Sequence, residues 1–578
     1  MDIQFEDYVR ATGGRDDVDH LWMPATASRP IVLKDPCLLW LDLGFGEPYG
    51  LHKDEQTKYD LTSYLFEAGK QFESAWISNI APNAVQAMLD DRDVRHVRSV
   101  LRTVELMLQD EPVITHAALW SAADGLYGAA DIICLESWVY SKWPHLRPDC
   151  DGLLEDRYCV LDLKFSSSLH KAAKRKLRSV YETQVRLYSY MLGRLQGKMP
   201  ANAYLVTRDR YDDPIPVAVE SPDGHLHRDL RRLRNHYVKV KSCGTQLKPW
   251  EDEGVMASAC NRLDSPWTQA KRQIAVKCCA GTPLNSLPRI GEAQIARLNL
   301  LGISRVEDLL LSSADVDFSA LPGIGAITAK QIRAVLNANL PGIYATFPEI
   351  TCPPERAGVE LFVDYEFFPS LHCRYDQEWP DCLKGTEMVF MIGVGCIDDQ
   401  ECWSYRQFVA EREDNAAECV MFEQFLAFLL EHAATDKDAD IRLWHYSAAE
   451  VWQSKRAAER LGLPELADLP WQDLQGVVLD VPLALPGCWS YGLKPIVKAL
   501  TAYAPEYGIL WPQDLGDGAS ASVVGWQMYE HANPKYTEEC RLLSRYLEAD
   551  CRSMERLLAW LRCNVNESSD DAKRQAGA

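Results

Sequence analysis

The chain of 578 residues lacks three features that mark large classes of protein. No apolar run comes near the roughly 20 residues that a helical membrane span needs, which excludes a protein built on such spans. The start of the chain, MDIQFEDYVRATGGRDD, is polar and has no secretory hydrophobic segment. The pattern GxxxxGK[ST] is also missing, which excludes a P-loop motor driven by nucleotide.

A surplus of basic residues is missing as well. The sequence has 61 Lys and Arg against 83 Asp and Glu, which gives a net charge of −22. This balance excludes a uniformly basic coat for nucleic acid, although it permits local basic patches. The 18 cysteines stand in a chain without an export signal, so we expect reduced thiols in a cytoplasmic protein with no membrane partner.

What the chain does contain is ordinary globular composition, with 47% hydrophobic and 25% charged residues. Its length and changes of texture predict an α/β protein of several domains. The predicted order is a mixed-sheet domain, an irregular connector with cysteines, a small all-α module, a second α/β domain and a disordered tail. The corresponding boundaries are 1–245, 246–282, 283–345, 357–565 and 566–578.

The first predicted domain carries charged residues inside apolar strands. Gly128-Ala-Ala-Asp131 leads into the apolar run Ile-Ile-Cys-Leu, and Asp162-Leu-Lys164 lies inside the apolar run that begins at Tyr158. Side chains two apart on a strand point the same way, so Asp162 and Lys164 share one face. Two opposite charges are costly to bury in a sheet unless they serve each other or a metal ion.

Further polar residues occur on helical segments around these strands. Glu73 follows Gly69-Lys-Gln-Phe in one segment, and Gln184 and Tyr188 lie four apart, hence on one face, of another. The four motifs stand in the order of the RecB-like branch of the PD-(D/E)XK nucleases, which the region resembles. Many relatives carry a His before the first acid, whereas Phe72 stands there in this sequence.

The resemblance implies a restriction-endonuclease-like mixed sheet with one metal-dependent catalytic site. Asp131 and Asp162 would be catalytic metal ligands, Glu73 a further ligand, and Lys164 the catalytic lysine. Gln184 and Tyr188 would position the site or the DNA strand. Mg²⁺ or Mn²⁺ suits these oxygen ligands, because hard cations prefer carboxylates.

A basic run follows the motif with the catalytic lysine. Lys171, Lys174 and Arg175 belong to a stretch without an acid, and beside a phosphodiesterase site they predict a track for phosphates. The alternative is a solvated helix face.

Several RecB-like nucleases also carry a [4Fe–4S] cluster. Cys37 stands where the first ligand would be, and Cys243, Cys260, Cys278 and Cys279 fall in the zone of the others. The close C-x-x-C pair usual in such sites is missing, so we prefer to interpret these residues as small buried hydrophobes.

The middle region contains two similar hairpin patterns, Leu287-Pro-Arg-Ile-Gly291 and Leu321-Pro-Gly-Ile-Gly325, each before an amphipathic segment. They resemble a tandem helix-hairpin-helix module. In the second hairpin, Gly323 and Gly325 would expose backbone N–H groups that bind a DNA phosphate without reading sequence. A purely structural helical spacer is the alternative.

The last region begins with a strand that carries Asp364 and Glu366 on one face and ends with a helix that places Tyr546 and Asp550 four apart. These DxE and YxxxD patterns resemble the RNase H-like DEDD exonucleases of the DnaQ class. Between them Glu450 occupies the second motif, one methylene longer than the usual Asp, and Asp473 is a reserve candidate.

The resemblance implies an RNase H-like α/β domain that holds two cations with Asp364, Glu366, Glu450 and Asp550. Such a pair of cations flanks the scissile phosphate, and Tyr546 would orient the attacking water. A degenerate fold that only binds nucleic acid is the alternative.

Together these patterns predict a metal-dependent deoxyribonuclease with two active sites, acting on single-stranded DNA or DNA ends. The resemblance implies a role in DNA repair, recombination or defence, with any unwinding left to a separate helicase. Two other interpretations stay open. One is an RNA-processing exonuclease that cuts with the C-terminal site alone, and the other is a nucleic-acid-binding scaffold with vestigial carboxylates.

Overall fold

The structure is a computed structural model. It describes residues 12–54, 58–148, 156–167, 175–220, 226–252, 255–261, 266–311, 316–339, 358–369, 373, 377–385, 387–398, 400, 402–435, 441–480 and 482–575.

The chain folds into two compact units. The first comprises Met1–Asp54, Leu65–Cys278 and Tyr375–Leu383, and the second comprises Glu55–Tyr64, Cys279–Arg374 and Lys384–Ala578. Each unit contains its own sheet with parallel and antiparallel strands. The predicted mixed α/β class with more than one domain is therefore confirmed.

The first unit is organised around a mixed sheet whose central strands are almost continuously apolar. Its strands are β1 (Met23–Pro24), β2 (Val85–Gln86), β3 (Val113–Ser121), β4 (Leu126–Leu135), β5 (Tyr158–Lys164), β6 (Asn202–Thr207) and β7 (Arg210–Ala218). The order is β2-β3-β4-β5-β6-β7, and β1 pairs with β4. β5 is antiparallel to β4 and parallel to β6. Such a strand is covered on both faces, which explains its unbroken apolar run.

Helices cover this sheet. Those with residues in the first unit are α1 (Ser28–Val32), α2 (Leu38–Asp42), α3 (Leu61–Ile80), α4 (Val97–Leu108), α5 (Glu136–Lys142), α6 (Arg175–Leu195), α7 (Leu226–Cys243), α8 (Ala257–Cys260) and α9 (Thr268–Cys279). α6 packs against β3, β5 and β6. Its buried residues recur with helical spacing, as in Val185, Tyr188 and Leu192, so one stripe of the helix covers the sheet.

The second unit contains a five-stranded sheet. Its strands are β8 (Val359–Phe368), β9 (Met388–Ile397), β10 (Trp403–Val409), β11 (Ile441–His445) and β12 (Trp471–Asp473). They run in the order β10-β9-β8-β11-β12. β9 is antiparallel to both of its neighbours, β10 and β8, whereas β11 is parallel to β8 and to β12.

The helices of the second unit include the segment with the two hairpin patterns. They are α10 (Glu292–Asn299), α11 (Asp308–Leu311), α12 (Ala326–Ala338), α13 (Asn415–Thr435), α14 (Ala449–Leu461), α15 (Leu474–Asp480), α16 (Leu493–Tyr503), α17 (Gly518–Tyr529) and α18 (Glu538–Gln575). α18 packs against β8 and β9 and against α16 and α17.

The segment with the hairpins shares a hydrophobic core with the last region. Ile332 and Val335 of α12 lie in the same apolar cluster as Ile496 of α16 and Trp560 of α18. Hydrogen bonds cross the same contact, because the Tyr491 hydroxyl donates to the carbonyl oxygen of Gln331 at 3.1 Å. Two sequence patterns of different texture therefore belong to one folded unit.

Two further features concern the ends of helices. α18 continues to Gln575, where the sequence predicts a disordered tail from residue 566. A helix already nucleated over many residues extends at little cost, even through polar sequence. Among the described residues, none of the helices combines the length and the apolarity that crossing a membrane requires.

Candidate active sites

In the first unit, the adjacent strands β4 and β5 bring the predicted acids and lysine together. The pairing of Ile132 with Leu161 puts Asp131 opposite Asp162. Nζ of Lys164 lies 2.7 Å from Oδ2 of Asp162 and 3.9 Å from Oδ2 of Asp131. The N–H of Leu163 donates to Oδ2 of Asp131 at 2.8 Å, which fixes that carboxylate.

The electrostatics of this trio reflect the complete burial of Asp162, beside the partly exposed Lys164 and Asp131. Burial raises the pKa of Asp162 to about 7, while the Lys164 charge opposes this shift and the Asp131 charge adds to it. Burial acts to lower the pKa of Lys164, but the carboxylates of Asp162 and Asp131 outweigh it and raise that pKa. Oδ1 of Asp162 is buried and has no hydrogen-bond partner among the described residues. This oxygen is therefore available to a cation.

Gln184 and Tyr188 form a pair on α6, beside the same strands. Nε2 of Gln184 donates to the Tyr188 hydroxyl at 2.9 Å. Burial, and next the charge of Asp162, raise the pKa of Tyr188. A Cβ atom at Gly128 would lie 2.7 Å from Cε1 of Tyr188, so the tyrosine ring requires glycine there. The glycine three residues before Asp131 thus makes room for the ring of Tyr188.

Glu73 lies near a histidine that the sequence did not single out. Its Oε1 is 3.5 Å from Nε2 of His116, and His116 stands opposite Asp131 in the register of β3 and β4. The backbone of His116 has φ of +49°, a left-handed conformation unusual within a strand. Phe72, the neighbour of Glu73 in the chain, is buried. The signal for His116 was a single imidazole inside an apolar strand.

The predicted phosphate-binding residues are only partly described. Arg175 begins α6 and is exposed, whereas Lys171 and Lys174 lie outside the described residues. In the second hairpin Gly323 has φ of +70°, and Gly325 caps the N-terminus of α12. A Cβ atom at Gly325 would meet nothing within 4 Å, so the backbone there is open on that side.

Three of the candidate cysteines in the first unit come together. Sγ of Cys37 lies 2.9 Å from Sγ of Cys260, and Cys260 and Cys278 are hydrogen-bonded. Nearby, Nζ of Lys271 forms a buried ion pair with Asp35 at 2.7 Å, and Asp35 accepts the N–H of Cys37. Cys243 and Cys279 are partly exposed.

In the second unit, the acids of three sequence motifs line one cavity of about 580 Å³. β8 supplies Asp364 and Glu366, and α14 supplies Glu450 at its first turn. α18 supplies Asp550 and, one turn earlier, Tyr546. The reserve candidate Asp473 is exposed at the end of β12 and is not among the lining residues. The geometry therefore favours Glu450 over Asp473.

These buried acids raise one another's pKa values. Burial first, then the charge of Asp550, hold the pKa of Asp364 well above its usual range, and the same two causes act on Glu366. The pKa of Asp550 is raised to about 6 by burial, against the effect of the Lys494 charge. Four carboxylates so close together favour protons or cations over full ionisation.

Other residues at this cavity hold the acids in place. Nε1 of Trp511 donates to Oδ1 of Asp550 at 2.7 Å. Nδ1 of the buried His445 lies 3.6 Å from Oε2 of Glu450, an oxygen that has no hydrogen-bond partner in the described part of the chain. Nζ of Lys494 donates to the Tyr546 hydroxyl at 2.6 Å. The sequence did not single out Trp511 or Lys494, since neither belongs to a motif.

The described residues of both units include many possible metal ligands. No three side chains of His, Cys, Asp or Glu among them form a group that could hold a metal ion as arranged. The donor chemistry nevertheless fits a hard cation at the cavity of the second unit, because its acids are buried, close and short of cationic partners.

Comparisons with known proteins bear on the C-terminal part of the chain. No curated protein and no solved structure matched the sequence. A family model of the RNase_H superfamily matches residues 376–562, which include Glu450, Tyr546 and Asp550 but not Asp364 or Glu366. The match supports an RNase H-like, nuclease-like fold for the C-terminal domain.

Proposed function

We propose that this protein is a metal-dependent nuclease with two active sites, and that its C-terminal site is a DEDD-type 3′–5′ exonuclease. The observation that carries the proposal is the convergence of Asp364, Glu366, Glu450 and Asp550 on one cavity. Three buried carboxylates and the partly buried Asp364 destabilise an apo protein through mutual repulsion, so their presence together is best explained by bound cations.

The residues of the C-terminal site divide the work of hydrolysis. Asp364, Glu366, Glu450 and Asp550 would hold Mg²⁺ or Mn²⁺, with modest inward movement of their side chains. Bound cations would activate water and neutralise the charge of the scissile phosphate. Tyr546 donates a hydrogen bond that orients the water, and Trp511 fixes the carboxylate of Asp550 through its Nε1. The imidazole of His445 lies beside Glu450, with Nδ1 at 3.6 Å from Oε2.

A second, RecB-like site is proposed in the first unit. It is supported by the contact of Lys164 with both Asp162 and Asp131, and by the buried oxygen of Asp162 that has no hydrogen-bond partner among the described residues. The two aspartates, with Glu73, would bind one cation, and the Lys164 ammonium would orient the nucleophile. Gln184 and Tyr188 support the site through their mutual hydrogen bond.

DNA is the proposed substrate, as single strands or ends, in repair, recombination or defence. In the second unit, the hairpin at Gly323 and Gly325 would bind backbone phosphates without reading the base sequence, and in the first unit Arg175 would do the same. A separate helicase is the proposed source of unwound strands.

A panel of labelled nucleic acids tests this function. We expect the parent protein to degrade 5′-labelled single-stranded DNA in Mg²⁺ or Mn²⁺ and to stop when EDTA removes the metal. A ladder that shortens from the 3′ end would establish polarity. Preference for RNA would favour the RNA-processing alternative. No turnover of DNA or RNA with any divalent metal would contradict the nuclease and favour a binding scaffold.

The colour of the purified protein tests the cysteine cluster. Cys37, Cys260 and Cys278 provide three thiols, one fewer than a [4Fe–4S] cluster needs. We therefore retain their interpretation as small buried residues and expect anaerobically purified protein to be colourless. Brown protein with broad absorbance in the blue would instead show a bound cluster.

A further inference from the structure

One cation stands among the acids of the C-terminal cavity. Lys494 is the second residue of α16, whose N-cap residue is Gly492. Among the described residues that line the cavity it is the only Lys, Arg or His. The acids that line the same cavity are Asp364, Glu366, Glu450, Asp517 and Asp550.

The contacts of this ammonium are with neutral oxygens. Nζ of Lys494 donates to the Tyr546 hydroxyl at 2.6 Å and to the carbonyl oxygen of Gly516 at 3.1 Å. It also lies 4.1 Å from the centroid of the Tyr546 ring. A lysine whose task was to neutralise one acid would be paired directly with that carboxylate. Lys494 is instead directed at the tyrosine.

The hydrogen bond determines what the tyrosine can do. An ammonium group can only donate, so the phenolic oxygen of Tyr546 accepts from Lys494. The O–H of Tyr546 must then point elsewhere and act as a donor. An ammonium has three N–H donors, and two are used here, which fixes the position of Nζ and of the hydroxyl.

The neighbouring tryptophan completes the arrangement. Nε1 of Trp511 donates to Oδ1 of Asp550, one helical turn after Tyr546 on α18. Nζ of Lys494 also lies 5.9 Å from the centroid of the Trp511 ring. Both members of the YxxxD motif are therefore held by residues outside the motif.

We propose that Lys494 is a positioning residue of the C-terminal site, which holds the Tyr546 hydroxyl as a hydrogen-bond donor toward the attacking water. The inference rests on the proposed exonuclease function and adds a residue that the motifs do not contain. Because misplacement of a reacting group by about 1 Å costs roughly 10²-fold in rate, the loss of this restraint acts on kcat more than on KM.

The test compares single and double variants on 5′-labelled single-stranded DNA with Mn²⁺. We expect Lys494→Met to lower kcat by about 10²-fold with KM nearly unchanged, and Lys494→Arg to recover part of that loss. Tyr546→Phe removes the hydroxyl itself, so the double variant Lys494→Met/Tyr546→Phe should be no slower than Tyr546→Phe alone. Lys498→Met, on the exposed face of the same helix, is the matched control and should resemble the parent.

Each contrary outcome has a distinct meaning. If the two single losses multiply in the double variant, or if Lys494→Met changes only KM, Lys494 does not act through Tyr546. If Lys494→Met unfolds at a lower temperature than Lys498→Met, Lys494→Arg replaces Lys494→Met in the comparison with Tyr546→Phe. A Lys494→Arg/Tyr546→Phe double variant that is slower than Tyr546→Phe alone then overturns the positioning role. An activity unaffected by Asp364→Asn would overturn the proposed exonuclease itself.

Discussion

The Asp364→Asn variant should lose the 3′–5′ exonuclease activity by on the order of 10³-fold, with binding of single-stranded DNA retained. Asp364 lies centrally on β8, and the charges of Asp550, Glu450 and Glu366 all act on it. Asparagine keeps the shape but removes a charged metal ligand. Shortening of 5′-labelled DNA in Mn²⁺ measures the activity, and fluorescence anisotropy measures binding separately.

The matched control is Asp473→Asn, which changes an exposed acid outside the cavity. We expect this variant to keep full activity. If Asp473→Asn were the inactive protein and Asp364→Asn the active one, the assignment of the second motif and of the whole C-terminal site would be wrong.

The same Asp364→Asn substitution should stabilise the metal-free protein. Burial and the neighbouring acids raise the pKa of Asp364 well above its usual range, so the folded protein resists ionisation there. The stability contributed by the bound proton is complete below the unfolded pKa of about 3.8, and it is lost as the pH rises through the raised folded value. In EDTA, the unfolding temperature of the variant should exceed that of the parent by a margin that grows with pH.

The Lys164→Met variant should lose the activity of the first unit by about 10²- to 10³-fold and leave the exonuclease intact. Circular single-stranded DNA has no ends, so its cleavage reports this site without the C-terminal one. The measurement is the conversion of such circles to linear strands in Mn²⁺. Lys142→Met, a change of an exposed lysine at the end of α5, is the control and should cut like the parent.

Stability separates the catalytic role of Lys164 from a structural one. The single variant leaves Asp162 buried without its 2.7 Å partner, a loss worth about 3–5 kcal/mol when a buried pair is broken. The double variant Asp162→Asn/Lys164→Met removes both charges and should regain much of that stability. Activity that returned together with stability would mean that neither residue is catalytic.

How far the sequence predicted the sites depended on whether the residues belonged to motifs. Periodicity on a strand placed Asp162 and Lys164 on one face, and spacing of four on a helix placed Tyr546 with Asp550, because these rules follow from backbone geometry. Their convergence with Asp131 and Glu450 needed long-range pairing. The family resemblance suggested which distant residues meet, whereas rules of local spacing cannot show this.

Residues such as His116, Trp511 and Lys494 escaped prediction for a physical reason. Each reaches its site from an element that carries no other functional group, so no spacing in the sequence marks it. His116 adopts a left-handed backbone within β3, and Lys494 lies in the first turn of α16, after its N-cap residue Gly492. The strand pairing and the helix ends that place them are products of the tertiary fold.

The sequence predicts a separate module for the hairpin segment at residues 283–345, and this boundary stays a prediction. In the second unit, however, Ile332 and Val335 contribute to the same apolar cluster as Trp560. Composition reports which residues are apolar but not which distant apolar residues they meet.

That joint cluster has a practical consequence for dissecting the protein. A fragment that starts near residue 357 would leave Ile496, Leu500 and Trp560 without the side chains of α12 that cover them. An isolated hairpin fragment would be equally incomplete, so weak DNA binding by either piece would report misfolding rather than specificity. The hairpin segment and the last region are therefore best expressed and altered as one unit.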